Sequence, residues 1–324
     1  PVSACGSGAD ADGRSTASTA PPDVATTVAP EVAASSVAPS TTGGAAATTV
    51  LIGTNRWAGP PVDVTRLPIG TARVSTKAPA VGGLFVCDAG NPRGGGAFAP
   101  GPWLDEAAGT WDATRKVAVR GSVTWPMARY DETVVGAERR ITAGGVPIGM
   151  VTGTFPIAAD DPAYSFDRNP NRIVPADLVL TVPATPTVAP TPSCLPKGTI
   201  GVLRNGVALF APVDERNRDA VAYETQDVCD GHPQQAGTYH YHDIPRCVRD
   251  ASTGPSTVVG FAADGFPIVV ERDAAGNLPT DADLDICHGR VSPVLLDGRV
   301  VETYHYSATA EFPYFIGCFR GSRR

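Results

Sequence analysis

The sequence predicts a mainly β protein, built as a disulfide-containing β-sandwich or partly open barrel with long loops and few helices. The 324 residues include 35 glycines, 31 prolines and seven cysteines, a composition that favours many turns and several bridges. No segment shows the 3.6-residue apolar periodicity of a helix that covers a core. Short apolar runs between turn residues therefore indicate strands.

Two dipeptides mark tight β-hairpins. Asn205-Gly206 separates the apolar run 200–203 from the run 207–210, and Asp297-Gly298 separates 295–296 from 299–301. Asn, Asp and Gly readily adopt the positive φ angles that two-residue hairpin turns require. A further strand is predicted over 266–270, with a turn at 273–277.

Composition divides the chain into three segments. Residues 1–50 are rich in Ala, Thr, Pro and Ser and lack aromatic residues, so we expect a disordered stalk. Residues 51–116 carry clustered glycines and prolines and are predicted to form a loop-rich N-terminal extension packed on the main domain. Residues 117–324 are predicted to form the main β domain.

The stalk begins with a short motif. Val2-Ser3-Ala4-Cys5 followed by Gly6 resembles the lipobox of bacterial lipoproteins, in which the cysteine is lipid-modified. One interpretation is a cell-surface lipoprotein that touches the membrane only through a lipid anchor at Cys5. The other is that Cys5 is an unpaired thiol of a secreted protein.

The remaining cysteines favour disulfides over a metal site. None forms the close Cys-x-x-Cys pair of structural zinc sites. Six cysteines allow three bridges in 15 connectivities, and Cys229–Cys247 is our first expected pair; the six are Cys87, Cys194, Cys229, Cys247, Cys287 and Cys318. Disulfides persist in oxidising compartments, so an extracytoplasmic location is predicted.

Charge and hydropathy exclude other classes. The net charge of −7 leaves no broad basic surface, so nucleic acid is not an expected partner. No run of 18 apolar residues is present that would cross a bilayer as a helix. A protein or glycan partner is left open.

The histidines form the clearest candidate site. All five lie from residue 232 onward: His232, His240, His242, His288 and His305. His240 and His242 fall two apart in Tyr239-His240-Tyr241-His242, so a strand would place both on one face, with Cα atoms about 6.5–7 Å apart. The tyrosines would face the other way.

A second Tyr-His-Tyr run, at Tyr304-His305-Tyr306, could pair with the first strand and bring His305 to the same centre. We therefore predict a copper or zinc ion held by His240, His242 and His305, with His232 as the next candidate ligand. The alternative is that each histidine is a hydrogen-bonded core residue. Asp285 and His288 are adjacent candidates for a ligand or a positioning group, whereas Asp264 is read as a turn residue.

These runs resemble the YHYH protein family, named for the string seen here at 239–242. The resemblance covers about 200 residues and includes the blocks Thr152-Gly153-Thr154-Phe155-Pro156-Ile157, Asp167-Arg168-Asn169-Pro170-Asn171, Cys229-Asp230-Gly231-His232-Pro233, Leu284-Asp285-Ile286-Cys287-His288-Gly289-Arg290 and Phe312-Pro313-Tyr314-Phe315. It implies a secreted or surface-attached protein and supports the domain limits, but it implies no activity. The family often has Asn at the position of His288, which argues against His288 as an essential ligand.

Three functions remain open at this point. The first is a surface-tethered domain that binds copper or zinc. The second is an enzyme, either a metal-dependent hydrolase or a copper oxidoreductase, although no nucleophile elbow, HExxH helix or phosphate loop assigns a catalytic residue. The third is an adhesion or carbohydrate-contact module in which exposed tyrosines form a platform without metal.

Overall fold

One eight-stranded sheet forms the centre of the protein, and smaller sheets and loops cover it. The computed structural model describes residues 55–322, so the predicted stalk and Cys5 lie outside the described residues. The strands are β1 (Leu67–Pro68), β2 (Val74–Ser75), β3 (Leu84–Phe85), β4 (Leu104–Asp105), β5 (Thr110–Trp111), β6 (Tyr130–Val135), β7 (Glu138–Ala143), β8 (Leu178–Pro183), β9 (Val188–Ser193), β10 (Thr199–Leu203), β11 (Ala208–Phe210), β12 (Gly231–Pro233), β13 (Tyr239–Tyr241), β14 (Ser256–Ala262), β15 (Pro267–Glu271), β16 (Gly289–Leu296), β17 (Arg299–Ser307) and β18 (Phe319–Gly321).

Helices are short. Two α-helices, α1 (Ala220–Tyr223) and α2 (Arg246–Ala251), and three 3₁₀ turns, Gly70–Arg73, Pro162–Ser165 and Asp281–Asp283, occur in the described part of the chain. No helix among the described residues has the length and apolarity needed to cross a membrane. The prediction of a mainly β fold is confirmed.

The central sheet is buried on both faces. Its strand order is β12-β13-β11-β10-β14-β15-β17-β16, and a three-stranded sheet, β6-β7-β8, covers one face. There Ile141 of β7 packs with Val202 of β10 and Phe261 of β14, while Ile200 and Leu203 of β10 belong to the core on the other face. Burial on both sides explains why these strands read as continuous apolar runs instead of alternating patterns. The sheets are stacked in layers and do not close into a barrel.

Both predicted hairpins are confirmed. Gly206 has φ of 93° between β10 and β11, and Asp297 and Gly298 have φ of 51° and 72° between β16 and β17. The strand predicted over 266–270 is β15, which pairs with β14. Asp264-Gly265 forms the turn between them, with Gly265 at φ of 93°.

The six expected cysteines form three disulfides: Cys87–Cys194, Cys229–Cys247 and Cys287–Cys318. The expected Cys229–Cys247 pair is therefore confirmed. Its Cα atoms lie 5.4 Å apart, and the bridge joins the residues just before β12 to helix α2. Cys87–Cys194 joins segment 55–116 to the residue after β9, and Cys287–Cys318 joins the connection before β16 to the residue before β18.

Segment 55–116 contributes to the same core as the central sheet. Leu67, Leu84, Trp103 and Trp111 are each at most 4% exposed and pack into the larger apolar cluster. The Trp103 ring nitrogen also donates a hydrogen bond to the carbonyl of Ala222 in α1. Burial of such large side chains stabilises the fold by a few kcal/mol each.

The predicted pairing of the two Tyr-His-Tyr strands is wrong. Strands β13 and β17 are separated in the sheet by β11, β10, β14 and β15. Each instead pairs in parallel with the second strand of the hairpin that precedes it, β13 with β11 of the β10–β11 hairpin and β17 with β15 of the β14–β15 hairpin. Sequence similarity between the two runs reflects equivalent positions in two halves of the sheet, not contact between them.

Candidate metal centre

Strands β12 and β13 bring three histidines together. His232 lies directly opposite His240 in this antiparallel pair, and His242 follows β13 on the same face as His240. The ring centroids are 4.6 Å apart for His232 and His240, 4.8 Å for His240 and His242, and 5.2 Å for His232 and His242. These three side chains form a group that could hold a metal ion, and each residue is at most 4% exposed.

The tyrosines between these histidines anchor the strand on its other face. Tyr239 donates a hydrogen bond of 2.8 Å to Asp227, and Asn205 donates one of 3.1 Å to the hydroxyl of Tyr241. Tyr239, Tyr241 and Tyr306 are fully buried and Tyr304 is 6% exposed. The exposed tyrosine platform of the adhesion hypothesis is therefore absent at these four positions.

Hydrogen bonds set the tautomers of His240 and His242. Nδ1 of His240 lies 3.1 Å from the carbonyl oxygen of Thr238, and Nδ1 of His242 lies 2.6 Å from that of Ala211. Because a carbonyl oxygen can only accept, both Nδ1 atoms carry hydrogen in the neutral rings. Both Nε2 atoms then present lone pairs, and these two atoms are 3.1 Å apart. Two lone pairs at this distance repel each other, whereas a cation between them would form a bond with each nitrogen.

His232 and Glu224 complete the cluster. Among residues 55–322, three buried atoms of this cluster lack a hydrogen-bond partner: both ring nitrogens of His232 and Oε2 of Glu224. Oε2 of Glu224 lies 3.6 Å from Nε2 of His232 and 3.5 Å from Nε2 of His242. Buried polar atoms without partners are rare in folded proteins, and here they converge on one point.

Burial keeps the three imidazoles neutral, the form that binds metal, but it favours the protonated form of Glu224, which must lose its proton to bind an ion. Desolvation, followed by the neighbouring imidazoles, lowers the pKa values of His232 and His240 well below their usual value. Desolvation also lowers the pKa of His242 to about 4. The pKa of Glu224 is raised well above its usual value by burial and then by Asp214 and Asp167. Neutral imidazoles are the form in which histidine donates to a metal.

The cluster lies in the wall of a large cleft. The cleft has a volume of about 910 Å³, and its walls include the three histidines, Glu224 and the exposed side chains of Phe98, Lys197 and Gln235. Its size is that of small-molecule sites. The ring of Phe210 stacks on His240 with centroids 4.0 Å apart and interplanar angle 23°, which fixes the orientation of the imidazole.

The other sequence candidates lie elsewhere. His305 sits in the second half of the sheet, with Nε2 3.2 Å from a carboxylate oxygen of Glu271. His288 contacts the hydroxyl of Thr309, with Nε2 at 3.0 Å, and Asp281. Asp285 accepts hydrogen bonds from the Tyr304 hydroxyl and from two backbone amides, so it supports the strand connection.

Glu224 was missed by the sequence reasoning. It follows α1 and precedes His232 by eight residues, outside the Tyr-His-Tyr-His run. A single glutamate at a helix end carries no pattern that marks it as a ligand. Only the tertiary fold places it beside the imidazoles.

The fold and this site define a disulfide-containing β domain with a buried imidazole cluster in a cleft. The family model described as YHYH protein matches residues 179–280, about a third of the chain. This match confirms the family resemblance, and Glu224 and the three clustered histidines all lie within it. No curated protein and no solved structure matches the chain.

Proposed function

We propose that this protein binds one copper or zinc ion through Nε2 of His240, His242 and His232, with Glu224 as the fourth ligand. The observation that carries the proposal is the approach of two lone-pair nitrogens to 3.1 Å, each with its other nitrogen hydrogen-bonded to a carbonyl. Two imidazole nitrogens bound to one ion at about 2.0–2.1 Å are separated by a similar distance. His305, the third ligand expected from the sequence, has no place in this site.

The donor set selects the metal class. Imidazole nitrogen with one carboxylate and no thiolate suits Cu(II) or Zn(II), not the oxygen-rich sites of Mg²⁺ and Ca²⁺. A divalent ion bound by three neutral imidazoles and one carboxylate forms a complex with a net charge of +1. Asp167, which lines the cleft, can contribute a balancing negative charge.

The proposal includes the cellular setting. The disulfides indicate an extracellular environment. We propose a cell-surface lipoprotein or a secreted protein, attached to a membrane only if Cys5 is lipidated, with no nucleic acid among its partners.

The test is the metal content of protein purified from an oxidising compartment without chelator. We expect about one equivalent of copper or zinc by plasma mass spectrometry, and none in His240→Ala/His242→Ala. His288→Asn is the matched control, because it removes a buried imidazole outside the cluster at a position with φ of 68°, which Asn tolerates. Equal metal in the double variant and the wild type would refute the assignment.

The cleft supports metal-dependent catalysis as a second candidate function. A metal in the wall of a 910 Å³ cleft can be reached by a ligand from solution. If Glu224 is displaced or protonated, water can take its coordination position, and hydrolases and copper oxidoreductases both use such a position. Azide binding to the Cu(II) form tests this candidate: a new charge-transfer band indicates an accessible position, and an unchanged spectrum indicates a closed structural site.

A further inference from the structure

The two halves of the central sheet repeat the same architecture. Strands β10 to β13 form one half and β14 to β17 the other, and the sheet order reads the same from either edge. At the centre, β10 and β14 pair with Val202 opposite Phe261, Gly201 opposite Ala262 and Leu203 opposite Gly260. This register is symmetric about the Val202 and Phe261 pair.

Side-chain contacts repeat with the same symmetry. Tyr239 donates to Asp227 in the first half, and Tyr304 donates to Asp285 in the second. Each aspartate also accepts from two backbone amides that follow it, at positions 229 and 231 or 287 and 289. Tyr241 is hydrogen-bonded to Asn205, in the turn between β10 and β11. Tyr306 is hydrogen-bonded to Asp264, in the turn between β14 and β15.

The imidazole site therefore has an equivalent in the second half. His305 occupies the position of His240, and Nδ1 of each donates to the carbonyl two residues earlier, with 3.1 Å in both cases. Arg290 lies opposite His305 as His232 lies opposite His240. Ser307 stands where His242 does, two residues after the shared histidine.

The second half already contains a cation at this position. The guanidinium of Arg290 donates to both carboxylate oxygens of Glu271, with Nη2 at 2.8 Å and Nε at 3.0 Å. Ser307 donates to Glu271 at 2.7 Å, and Nε2 of His305 lies 3.2 Å from a carboxylate oxygen of Glu271. Glu271, His305 and Ser307 are fully buried.

We infer that the two halves hold the same buried site in two forms, a metal-binding form at His232, His240 and His242 and a second form in which the Arg290 guanidinium replaces the metal. Each form combines a cation, imidazole and one buried carboxylate, which comes from a different element in each half: Glu224 follows α1, and Glu271 ends β15. The protein accordingly binds one metal ion, and Arg290 keeps the second half independent of metal. This inference rests on the proposed function of the first half.

The test converts the second site to the first. Arg290→His/Ser307→His in the full chain restores three imidazoles beside Glu271, and we expect metal content to rise from one to two equivalents by plasma mass spectrometry after zinc loading and dialysis. Arg290→Gln/Ser307→Asn removes the guanidinium without adding imidazole and should stay at one. A folded histidine variant that binds one equivalent, as the wild type does, overturns the inference and leaves the proposed function intact. No metal in either protein overturns both.

A reciprocal exchange decides the matter if the first variant does not fold. His232→Arg/His242→Ser gives the first half a guanidinium and a hydroxyl beside Glu224. We expect a protein whose Tm exceeds that of His232→Ala/His242→Ser and does not respond to added zinc. A Tm at or below that of the alanine control shows that a guanidinium cannot replace the ion there, and the inference fails.

Discussion

At the scale of single residues, Glu224 is the least obvious part of the site. Its carboxylate is buried, and Oε2 points at two imidazole nitrogens at 3.5 and 3.6 Å. A carboxylate in such a position is strongly disfavoured unless a cation or proton accompanies it. A metal bound as proposed would provide that cation.

We therefore expect Glu224→Gln to bind zinc about 10- to 100-fold more weakly, because a neutral amide replaces a charged ligand of the ion. Competition with a chromophoric chelator measures the affinity. Glu215→Gln is the control, since Glu215 lines the same cleft, is exposed and pairs with Lys197. A Glu224→Gln variant with unchanged zinc affinity would place this carboxylate outside the coordination sphere.

Residue patterns predicted part of the site. The two-residue spacing of His240 and His242 placed both imidazoles on one face, because side-chain alternation is a local property of any strand. The expected third histidine, His305, lies in the other half of the sheet, because that expectation depended on which strands are neighbours. Strand pairing over long sequence separations is decided by the whole core, and neither His232 nor Glu224 carries a local signal for it.

At the scale of elements, Glu271 joins three strands of the second half. It ends β15 and binds Arg290 of β16 and both His305 and Ser307 of β17. Burial acts to raise the pKa of Glu271, but the hydrogen bonds and charges of His305 and Arg290 outweigh burial and lower the pKa to about 2. Relative to the usual value of 4.5, this shift corresponds to about 3 kcal/mol of stability at neutral pH.

The lowered pKa of Glu271 determines how its contribution to stability depends on pH. The ionised carboxylate stabilises the fold above about pH 4.5, and this contribution is lost as the pH falls through about 2. We expect Glu271→Gln to reduce the free energy of unfolding by about 3 kcal/mol at pH 7 and by much less near pH 2.5, measured by urea denaturation. Glu302→Gln, at an exposed position of β17, should change neither value. A loss that is the same at both pH values would contradict this account.

The elements themselves were predicted where a local turn defines them. Asn205-Gly206 and Asp297-Gly298 fix their hairpins through backbone geometry, so both were visible in the sequence. The small sheets of segment 55–116 were not predicted from the sequence. Their strands are two residues long, and they exist because Trp103 and Trp111 pack against the main core.

At the scale of the whole molecule, one disulfide connects the proposed metal site to the redox state of its surroundings. The Cys229–Cys247 bridge closes a segment that contains His232, His240 and His242, with a sequence separation of 18. Closing a loop of about this length removes on the order of 3 kcal/mol of chain entropy from the open state. The bridge therefore favours chain conformations in which the three imidazoles lie near one another.

This arrangement predicts that an oxidising compartment favours metal retention. The hydrogen bonds of β12 and β13 remain without the bridge, so only part of the loop entropy affects zinc affinity. We therefore expect Cys229→Ser/Cys247→Ser to weaken zinc binding about tenfold, equivalent to about 1.4 kcal/mol. Cys287→Ser/Cys318→Ser is the matched control, since Cys287 is the counterpart of Cys229 in the half that carries Arg290. That control should lower Tm yet keep zinc affinity, as measured by chelator competition. Equal losses of zinc affinity in both variants would show that the bridges act only through global stability. A loss confined to Cys229→Ser/Cys247→Ser would show that zinc binding depends on the oxidised state of the segment that contains the three histidines.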